Sequence, residues 1–397
     1  MKFLRTVSTR RLLALIVGVV SAVAAGTALA VAAAGSGPAP PPKRLPQAVH
    51  DALAAPAPAG ITARISFTNH LIQSTDIQGG DPILTGATGR LWLSNDHRLR
   101  LELQSNTGQD AQIVVDKNRF WVYDPSAKTA YEGTLPASSE KNKTSREALP
   151  SVAELQGDLN RFAQHANLSG AIPGNVAGQP AYTVRVSPKH DGGLLGAGEL
   201  AWDAIRGVPL RIAVYARNDT TPVLELKATD ISYGAVPSST FAITPPSNAK
   251  VVRVDTSGAD HMSSRDARSH QHTEITGEAA VAKRLSFKLN APRQLVGLPR
   301  RSVTLLDWGG QRAALITYGQ NLGGVAVLEQ PASAAGAAKT GGDGRGLTLP
   351  TVSINGVKAQ ELDTALGTIV RFSRGQVSYT VAGSVPAAAA DAAARAL

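Results

Sequence analysis

The stretch RLRLEL, residues 98–103, decides the fold because charged residues alternate strictly with leucine. Successive side chains of an extended strand point to opposite faces, so Leu99, Leu101 and Leu103 share one face and the charges share the other. Strand-like segments at 90–93, 113–115, 119–123 and 129–131 flank this stretch, and turn sequences such as SND and DKN separate them. The sequence therefore predicts an antiparallel meander over 86–136 with one apolar face that needs a cover.

The segments on either side of the meander predict what surrounds it. A short helix is expected at 46–55, a first strand at 61–67 and a polar loop at 137–146. Ser151 and Glu154 have capping-box spacing and begin a second helix. The apolar positions of this helix fall on one side: Val152, Leu155, Leu159, Phe162 and Ala166. We interpret it as a lid on the concave surface of a curved sheet. Further strands are predicted at 181–186, 198–203, 209–215 and 223–231, and residues 239–246 close the unit.

A second, smaller unit follows a charged segment that has no periodicity. Its predicted strands are 284–289, 302–307, 313–318, 324–329, 352–354, 367–372 and 377–381. The strands at 313–318 and 324–329 form a hairpin through residues 320–323, and an alanine-rich helix is expected at 386–397. The fold class predicted for the whole chain is mainly β (α+β): a curved antiparallel sheet or incomplete β-barrel covered by helices, with a smaller C-terminal α+β domain.

Composition excludes several classes of function. The chain has 397 residues, of which 43% are hydrophobic and 18% charged, as is ordinary for globular proteins. It has no cysteine, which excludes a disulfide framework, a thiolate metal site and a cysteine nucleophile. The formal net charge is +10, and four of the positive charges lie in the first 34 residues. The remaining lysines and arginines do not cluster beside stacking aromatics, so we expect no nucleic-acid partner.

The N-terminus predicts export from the cytoplasm. Positive charges at Lys2, Arg5, Arg10 and Arg11 precede an apolar run over 12–34, which contains ALA and AAA sequences similar to signal-peptidase sites. The run is also long enough for an uncleaved membrane anchor, so membrane association through 12–34 stays open. We expect an extracytoplasmic protein of the cell envelope, either secreted or anchored by this single segment.

Three motifs then carry a family resemblance. They are the strand GQPAY at 178–182, the pair WD at 202–203 with GVPLR at 207–211, and the segment FAITPP at 241–246. Together with the element order, they make residues 45–254 resemble the actinobacterial LolA-like proteins, relatives of the lipoprotein-carrier and RseB/MucB superfamily. This resemblance implies an incompletely closed antiparallel barrel with helices over an apolar cavity. Gln179 stands where many relatives carry a basic residue.

The C-terminal unit resembles the small DUF4367 domain through YGQ at 318–320 and SYTVAG at 378–383. The expected organisation is a signal peptide or signal anchor at 1–34, a Pro/Ala-rich tether at 35–44, a LolA-like domain at 45–254, a linker at 255–274 and a DUF4367-like domain at 275–397. A low-complexity loop is expected at 331–349 within this last domain.

Candidate catalytic groups are few. The sequence lacks a GxSxG elbow, an HExxH zinc motif and a phosphate-binding loop. Lys189, His190 and Asp191 could be drawn as a base and its orienting group, but the flanking proline and glycines favour a hairpin loop. His270 and His272 could be metal ligands, although a solvated linker is the simpler interpretation. We therefore expect no enzyme, no catalytic residue, no metal and no cofactor.

Two functions from different classes fit these observations. The first is a carrier or sensor that holds a lipid, a lipopeptide or a lipoprotein acyl chain in the cavity. The alternative is an RseB-like regulator that binds the extracytoplasmic part of a membrane anti-sigma factor or another envelope protein, and a third possibility is a structural envelope module. The residues predicted to line the cavity are Leu91, Leu93, Leu99, Leu101, Leu103, Trp121, Tyr123, Leu155, Leu159, Phe162, Tyr182, Trp202 and Tyr215.

Overall fold

The structure is a computed structural model that describes residues 37–72, 82–105, 110–125, 127–135, 149–254, 275–308, 311–332 and 349–397. The expected leader, the polar loop at 137–146 and the linker at 255–274 lie outside the described residues, as does most of the low-complexity loop. The described chain is mainly β and forms two sheets with a few short helices.

The predicted meander is confirmed. It runs through β2 (Ala87–Ser94), β3 (Arg98–Gln104), β4 (Asp110–Asp116), β5 (Arg119–Asp124) and β6 (Thr129–Thr134), each antiparallel to the next. β1 (Gly60–Asn69) pairs with β2 on the other side. Leu91 faces Leu101 across β2 and β3, and Leu101 faces Ile113 on β4, so the leucine face is continuous across strands.

The second half of the first sheet was predicted in part. Its strands are β7 (Ala166–Leu168), β8 (Ile172–Val176), β9 (Gln179–Pro188), β10 (Leu195–Asp203), β11 (Pro209–Ala216), β12 (Pro222–Tyr233) and β13 (Lys250–Val254). Strands β9 to β12 match the sequence prediction, whereas β7, β8 and β13 were not predicted. β12 pairs with β1, which joins the two halves, and β13 lies beside β6 at the far end.

The first sheet curls into a half-barrel. Val176 and Ala177, at the turn between β8 and β9, pack into the same apolar cluster as Ile61 of β1 and Leu91 of β2. Three strands lie between β1 and β9 in the sheet, so this contact requires strong curvature. We call the face that carries Leu91, Leu101 and Tyr182 the inner face, and the opposite face the outer face.

Two helices cover one end of the inner face. They are α1 (Leu45–Ala54) and α3 (Val152–Phe162), which pack against each other and over β9 and β10; α2 (Pro82–Thr85) is a single turn. The capping box of α3 is present: the Ser151 hydroxyl accepts from the Glu154 amide at 3.2 Å, and the Ser151 amide donates to the Glu154 carboxylate at 2.7 Å. The helix ends at Phe162, and Ala166, predicted on its apolar side, instead lies in β7 because the chain turns back at 163–165 to pair with β9.

Residues 37–44, predicted to be part of an unfolded tether, are held against β8 and β9. The Asn175 side chain donates to the Pro38 carbonyl at 3.1 Å, and the Tyr182 hydroxyl donates to the Pro41 carbonyl. The tether prediction missed these contacts because the segment has no periodicity and makes its hydrogen bonds to distant side chains.

A strap formed by residues 237–246 crosses the outer face of the meander. The Trp121 indole N–H donates to the Ile243 carbonyl at 3.1 Å, and Arg100 donates to the Thr240 carbonyl at 3.0 Å while its guanidinium stacks over Trp92. Phe241, within this strap, is almost completely buried. The strap therefore covers the part of the outer face around Trp121 and Arg100 and leads the chain to β13.

The second sheet contains β14 (Gln294–Leu295), β15 (Leu298–Trp308), β16 (Gln311–Tyr318), β17 (Val325–Pro331), β18 (Thr351–Ile354), β19 (Val357–Thr364), β20 (Gly367–Arg374) and β21 (Val377–Gly383). The hairpin of β16 and β17 and the C-terminal helix α5 (Ala387–Arg395) were predicted, whereas β19 was missed. α4 (Glu278–Ala282) precedes the sheet.

The predicted strand at 284–289 is wrong. This segment has no ladder partner; Leu285, Phe287 and Leu289 instead pack as anchors on the apolar core of the second sheet. Alternate residues of this segment contact the face of the second sheet. This gives the same alternation of apolar and polar residues as a strand paired within a sheet.

Main-chain hydrogen bonds connect the two sheets. The Leu194 amide donates to the Ser384 carbonyl and hydroxyl, both at 3.0 Å, and the Ala365 amide donates to the Leu71 carbonyl at 2.9 Å. At a third contact Gly323 lies against Asp191, where a Cβ atom would stand only 1.9 Å from the carboxylate. Any larger residue at 323 would therefore have to displace the Asp191 side chain, which is exposed.

Candidate functional site

An incompletely covered apolar surface lies on the inner face of the meander. The strand register places its residues in three rows across β2 to β5, one of which ends at the buried Phe120. All are half-buried, in contrast to the fully buried core. We call this surface the open apolar face; its members are Leu91, Leu93, Leu99, Leu101, Leu103, Ile113, Val115 and Val122.

The open apolar face borders a packed region at one end. Leu91, Leu93, Leu101 and Leu103 touch a buried cluster that includes Ile61, Val208 and Leu210. In the other direction the rows continue through Tyr131, which is 38% exposed, to the edge strand β13. The helices α1 and α3 lie away from this half, because they cover β9 and β10, and the single turn α2 contacts β1.

The structure brings some of the predicted lining residues together and separates others. Leu91, Leu93, Leu99, Leu101 and Leu103 all lie on the open apolar face. A second group is buried or half-buried beneath and within the helical cover, at the other end of the same inner face: Leu155, Leu159, Phe162, Tyr182 and Trp202. The rings of Tyr182 and Trp202 lie 6.1 Å apart, and both side chains are 1% exposed, so they are packed core in this conformation.

Three predicted lining residues lie on the outer face. Trp121 pairs with Val114 and not with the leucines, and the strap covers it. Tyr123 pairs with Gln112 on this same face, and Tyr215 lies in a charged cluster described below. The sequence suggested a strand for each residue but did not fix which face its side chain occupies. Sequence reasoning also missed Ile113, Val115 and Val122, because the unbroken run 113–115 does not reveal its inward positions.

The outer face of the covered end carries a charged cluster in place of a strap. The Glu199 carboxylate, 5% exposed, accepts from Arg185 at 2.8 Å, from Arg211 at 2.6 Å and from the Tyr215 hydroxyl at 2.8 Å. Arg211 also donates to Glu225 at 2.7 Å, and the Arg185 guanidinium stacks over the Tyr215 ring. Burial alone would raise the pKa of Glu199, but the hydrogen bonds from Arg211, Arg185 and Tyr215 outweigh it and lower that pKa.

This cluster has the composition of a structural network. Both carboxylates are matched by arginines, and the cationic partners hold the pKa of Glu225 below its usual range against the opposing effect of burial. A carboxylate kept ionised in this way is a poor proton donor or acceptor near neutral pH. The network therefore stabilises β9 to β12 and offers no acid–base pair.

Another buried carboxyl group lies in the core of the second sheet. Glu329 is 0% exposed; one of its oxygens accepts from the Asn290 amide at 3.0 Å, and the other has no hydrogen-bond partner within the described residues. Burial raises the pKa of Glu329 to about 7. Because the unfolded chain releases this proton more readily than the folded chain, stability falls as pH rises from the ordinary glutamate range through 7.

The described chain holds one further buried carboxylate, Asp203, which accepts hydrogen bonds from the Tyr233 hydroxyl at 2.7 Å and from the Ile205 and Arg206 amides. It contains no group of three or more His, Asp or Glu side chains arranged to hold a metal ion. Lys189 and Asp191 lie in the connection between β9 and β10: Lys189 donates to the Ala163 carbonyl at 2.8 Å, and Asp191 pairs with Arg217 at 3.1 Å. His270 and His272 lie outside the described residues. No helix of the described part is long and apolar enough to span a membrane.

Comparisons with known proteins found likenesses among solved structures only. No family model matches the sequence, and neither does any curated protein. MucB in complex with MucA(peri) is 15% identical, with 85% of this chain and 92% of that chain covered and a TM-score of 0.37. The MucA/MucB complex of Pseudomonas aeruginosa is 16% identical, with coverages of 88% and 95% and a TM-score of 0.37. A LolA-superfamily protein from Nitrosomonas europaea is 11% identical, with coverages of 51% and 99% and a TM-score of 0.20.

Proposed function

We propose that this chain is a non-enzymatic binding protein that holds an apolar chain on its open apolar face. The observation that carries the proposal is the row of half-buried leucines over β2 and β3, on a curled sheet whose described helices cover only the other end. Monomeric proteins rarely expose a contiguous apolar surface of this kind without a use for it.

The ligand class follows from the chemistry of this surface. The side chains of the open apolar face are aliphatic, and the charged residues of β3 point to the outer face, where Arg100 and Glu102 pair with each other. An acyl chain needs no matched polar groups, since each buried methylene contributes about 0.8 kcal/mol. We therefore propose a lipid, a lipopeptide or the acyl chain of a lipoprotein as the ligand.

We also propose an extracytoplasmic location in the cell envelope. The support is in the sequence: positive charges at 2–11 followed by the apolar run at 12–34 have the form of an export signal or anchor. A chain that loses this segment would be free to carry its ligand between membranes, whereas a chain that keeps it would act as an anchored sensor.

The direct experiment is mass spectrometry of organic extracts of the protein, purified without detergent from the cell envelope of the expression host. We expect a lipid or lipopeptide to be present in stoichiometric amount. Leu91→Gln places an amide on the open apolar face and should lower that amount several-fold. The matched control is Arg90→Gln, at the neighbouring position on the same strand, which faces outward and is exposed. Equal ligand content in both variants would contradict the proposal, and an empty wild-type protein that also binds no added palmitate would favour a structural module.

The RseB-like regulatory role is the second candidate. The junction between the sheets favours it, because the hydrogen bonds of Leu194 to Ser384 and of Ala365 to Leu71 tie the second sheet to the first. A sensor needs such a connection to pass the state of one sheet to a partner held on the other. Hydrogen exchange distinguishes the roles: palmitate should change the exchange of the Leu194 and Ala365 amides in a sensor and leave them unchanged in a simple carrier.

A further inference from the structure

The first sheet ends in the edge strand β13. β13 pairs in parallel with β6, from Lys250 beside Thr129 to Val254 beside Gly133. It is the terminal strand of the sheet, and within the described residues nothing pairs with its other side. A strand in this position offers a row of main-chain donors and acceptors to another chain.

The register identifies which main-chain groups face outward. The Lys250 amide donates to the Lys128 carbonyl at 2.9 Å, so the peptide groups of Lys250 are directed toward β6. The N–H and C=O of one strand residue point to the same side, and the side alternates along the strand. The N–H and C=O groups of Val251 and Arg253 are therefore directed to the free side.

The side chains of this edge include exposed valines, whereas edge strands are usually protected by charged residues, proline or bulges. Val251 is 50% exposed and Val254 is 39% exposed. On the inner face Val252 continues the row that passes through Leu101, Ile113, Val122 and Tyr131. An added strand would therefore extend the open apolar face and cover these valines.

The charged residues beside this edge are mostly basic and favour an acidic partner. Lys128, Lys250 and Arg253 are all exposed, and within the described residues none of them forms an ion pair. Glu132, beside Arg253 on β6, is the nearest acidic residue in the register. A second copy of this chain would bring the same basic edge to itself, which like-charge repulsion disfavours. An acidic strand would instead be attracted.

We propose that the free edge of β13 is a docking site for an extended acidic segment of a protein partner, which adds to the sheet as a further strand. Such a segment alternates apolar residues, placed beside Val252 and Val254, with Asp or Glu, placed beside Arg253. Main-chain hydrogen bonds to Val251 and Arg253 supply affinity, and the side-chain alternation supplies register.

The test uses the full chain and a synthetic peptide of alternating valine and glutamate, with amide hydrogen exchange followed residue by residue. In the free protein the Val251 and Arg253 amides should exchange rapidly, while those of Lys250 and Val252 are protected by β6. The peptide should slow exchange at Val251 and Arg253 by at least about ten-fold and leave the rest of the sheet unchanged.

Two variants make the test specific. Val251→Pro removes one outward donor and should weaken peptide binding at least about ten-fold, while Val251→Thr keeps the donor and should bind normally. Should Val251→Pro fail to fold, Arg253→Glu replaces it: this variant should lose the valine–glutamate peptide and gain a valine–lysine peptide.

Three results would overturn the proposal. Unchanged exchange at Val251 and Arg253 with excess peptide would mean that the edge does not accept a strand. Protection of both amides in the free protein at every concentration would mean that another part of this chain already covers the edge. Protection that grows with protein concentration would identify a second copy as the occupant.

Discussion

The two ends of the inner face both consist of alternating strands, but their apolar residues are buried to different extents. At the covered end, Leu200, Tyr182 and Trp202 are buried to 1% exposure beneath α1 and α3. At the other end, Leu91, Leu101 and their neighbours are only half-buried, and no described helix lies over them. Alternation in the sequence thus indicates that one face of a strand is apolar. It does not indicate what covers that face, because the cover comes from elements distant in sequence.

The outer faces of the two ends differ as well. The strap crosses the outer face of the meander, where its carbonyls accept hydrogen bonds from Trp121 and Arg100. The covered end carries the charged cluster around Glu199. The outer face of each end thus has contacts of its own, whereas on the inner face only one end lies beneath α1 and α3. Four substitutions test that difference.

Trp202→Ala should have the largest effect on stability. Its indole is fully buried among Tyr182, Leu200 and the helices, so truncation leaves a large cavity in packed core. Such changes cost about 3–5 kcal/mol. Urea unfolding followed by circular dichroism would measure the loss, and a change below about 1 kcal/mol would mean that the covered end is not packed as described.

Glu199→Gln should come next, through the charged cluster. Replacing this carboxylate removes the negative charge that matches Arg185 and Arg211 but keeps one acceptor oxygen, and we expect a loss of about 1.5–3 kcal/mol at neutral pH, as for a hydrogen bond to a charged group. The pKa of Glu199 is lowered in the folded protein, so its contribution is present above the ordinary glutamate pKa and disappears as pH falls through the lowered value.

The measurement for this substitution is unfolding of wild type and variant as a function of pH. The two stability curves should converge in acid, because wild-type Glu199 is then protonated as well. A gap that keeps its full size in acid would show that the substitution acts through packing and not through charge.

Leu101→Ala should lower stability less than Trp202→Ala does, but it should weaken ligand binding. Leu101 is half-buried, so truncation should lower the free energy of unfolding by only about 1 kcal/mol, below the usual range for a buried leucine. The same change removes apolar contact from the open apolar face and should weaken palmitate binding about five-fold. Isothermal titration and urea unfolding of one preparation would measure both effects, and a stability loss as large as that of Trp202→Ala would contradict an open face.

Ser151→Ala should have the smallest effect. It removes the side-chain acceptor that caps α3 and should cost about 1 kcal/mol or less. Palmitate affinity should not change, because α3 covers the other end of the inner face. A marked change in affinity, measured by the same titration, would mean that the helical cover takes part in ligand binding.

The sequence predicted those elements whose pattern lies within a few neighbouring residues, and it missed those that form only by pairing with distant strands. The meander and the capped helix were predictable because alternation and the Ser151–Glu154 spacing act over a few residues. β8 was missed because Pro173 and Gly174 interrupt it, and it forms only through pairing with β9. β13 was missed because its parallel partner β6 lies more than a hundred residues earlier.

The candidate site was predictable only in part for the same reason. Strict alternation placed the leucines of β2 and β3 on one face, and the register confirms it. Trp121 and Tyr215 were included in the predicted cavity lining from strand alternation, with packed core as the alternative, and the strap and the charged cluster bury them on the outer face. Which face a lone aromatic occupies depends on register and on distant cover, and neither is encoded near the residue.

The most direct test of the central claim is photochemical labelling of the full chain with a diazirine derivative of palmitate, followed by peptide mapping of the attachment sites. The account predicts that labels concentrate on β2 to β5, at inward residues such as Leu91, Leu101 and Ile113, and that unlabelled palmitate competes for them. Labels concentrated on the outer face, or labelling that palmitate does not reduce, would contradict the claim that the open apolar face is a ligand site.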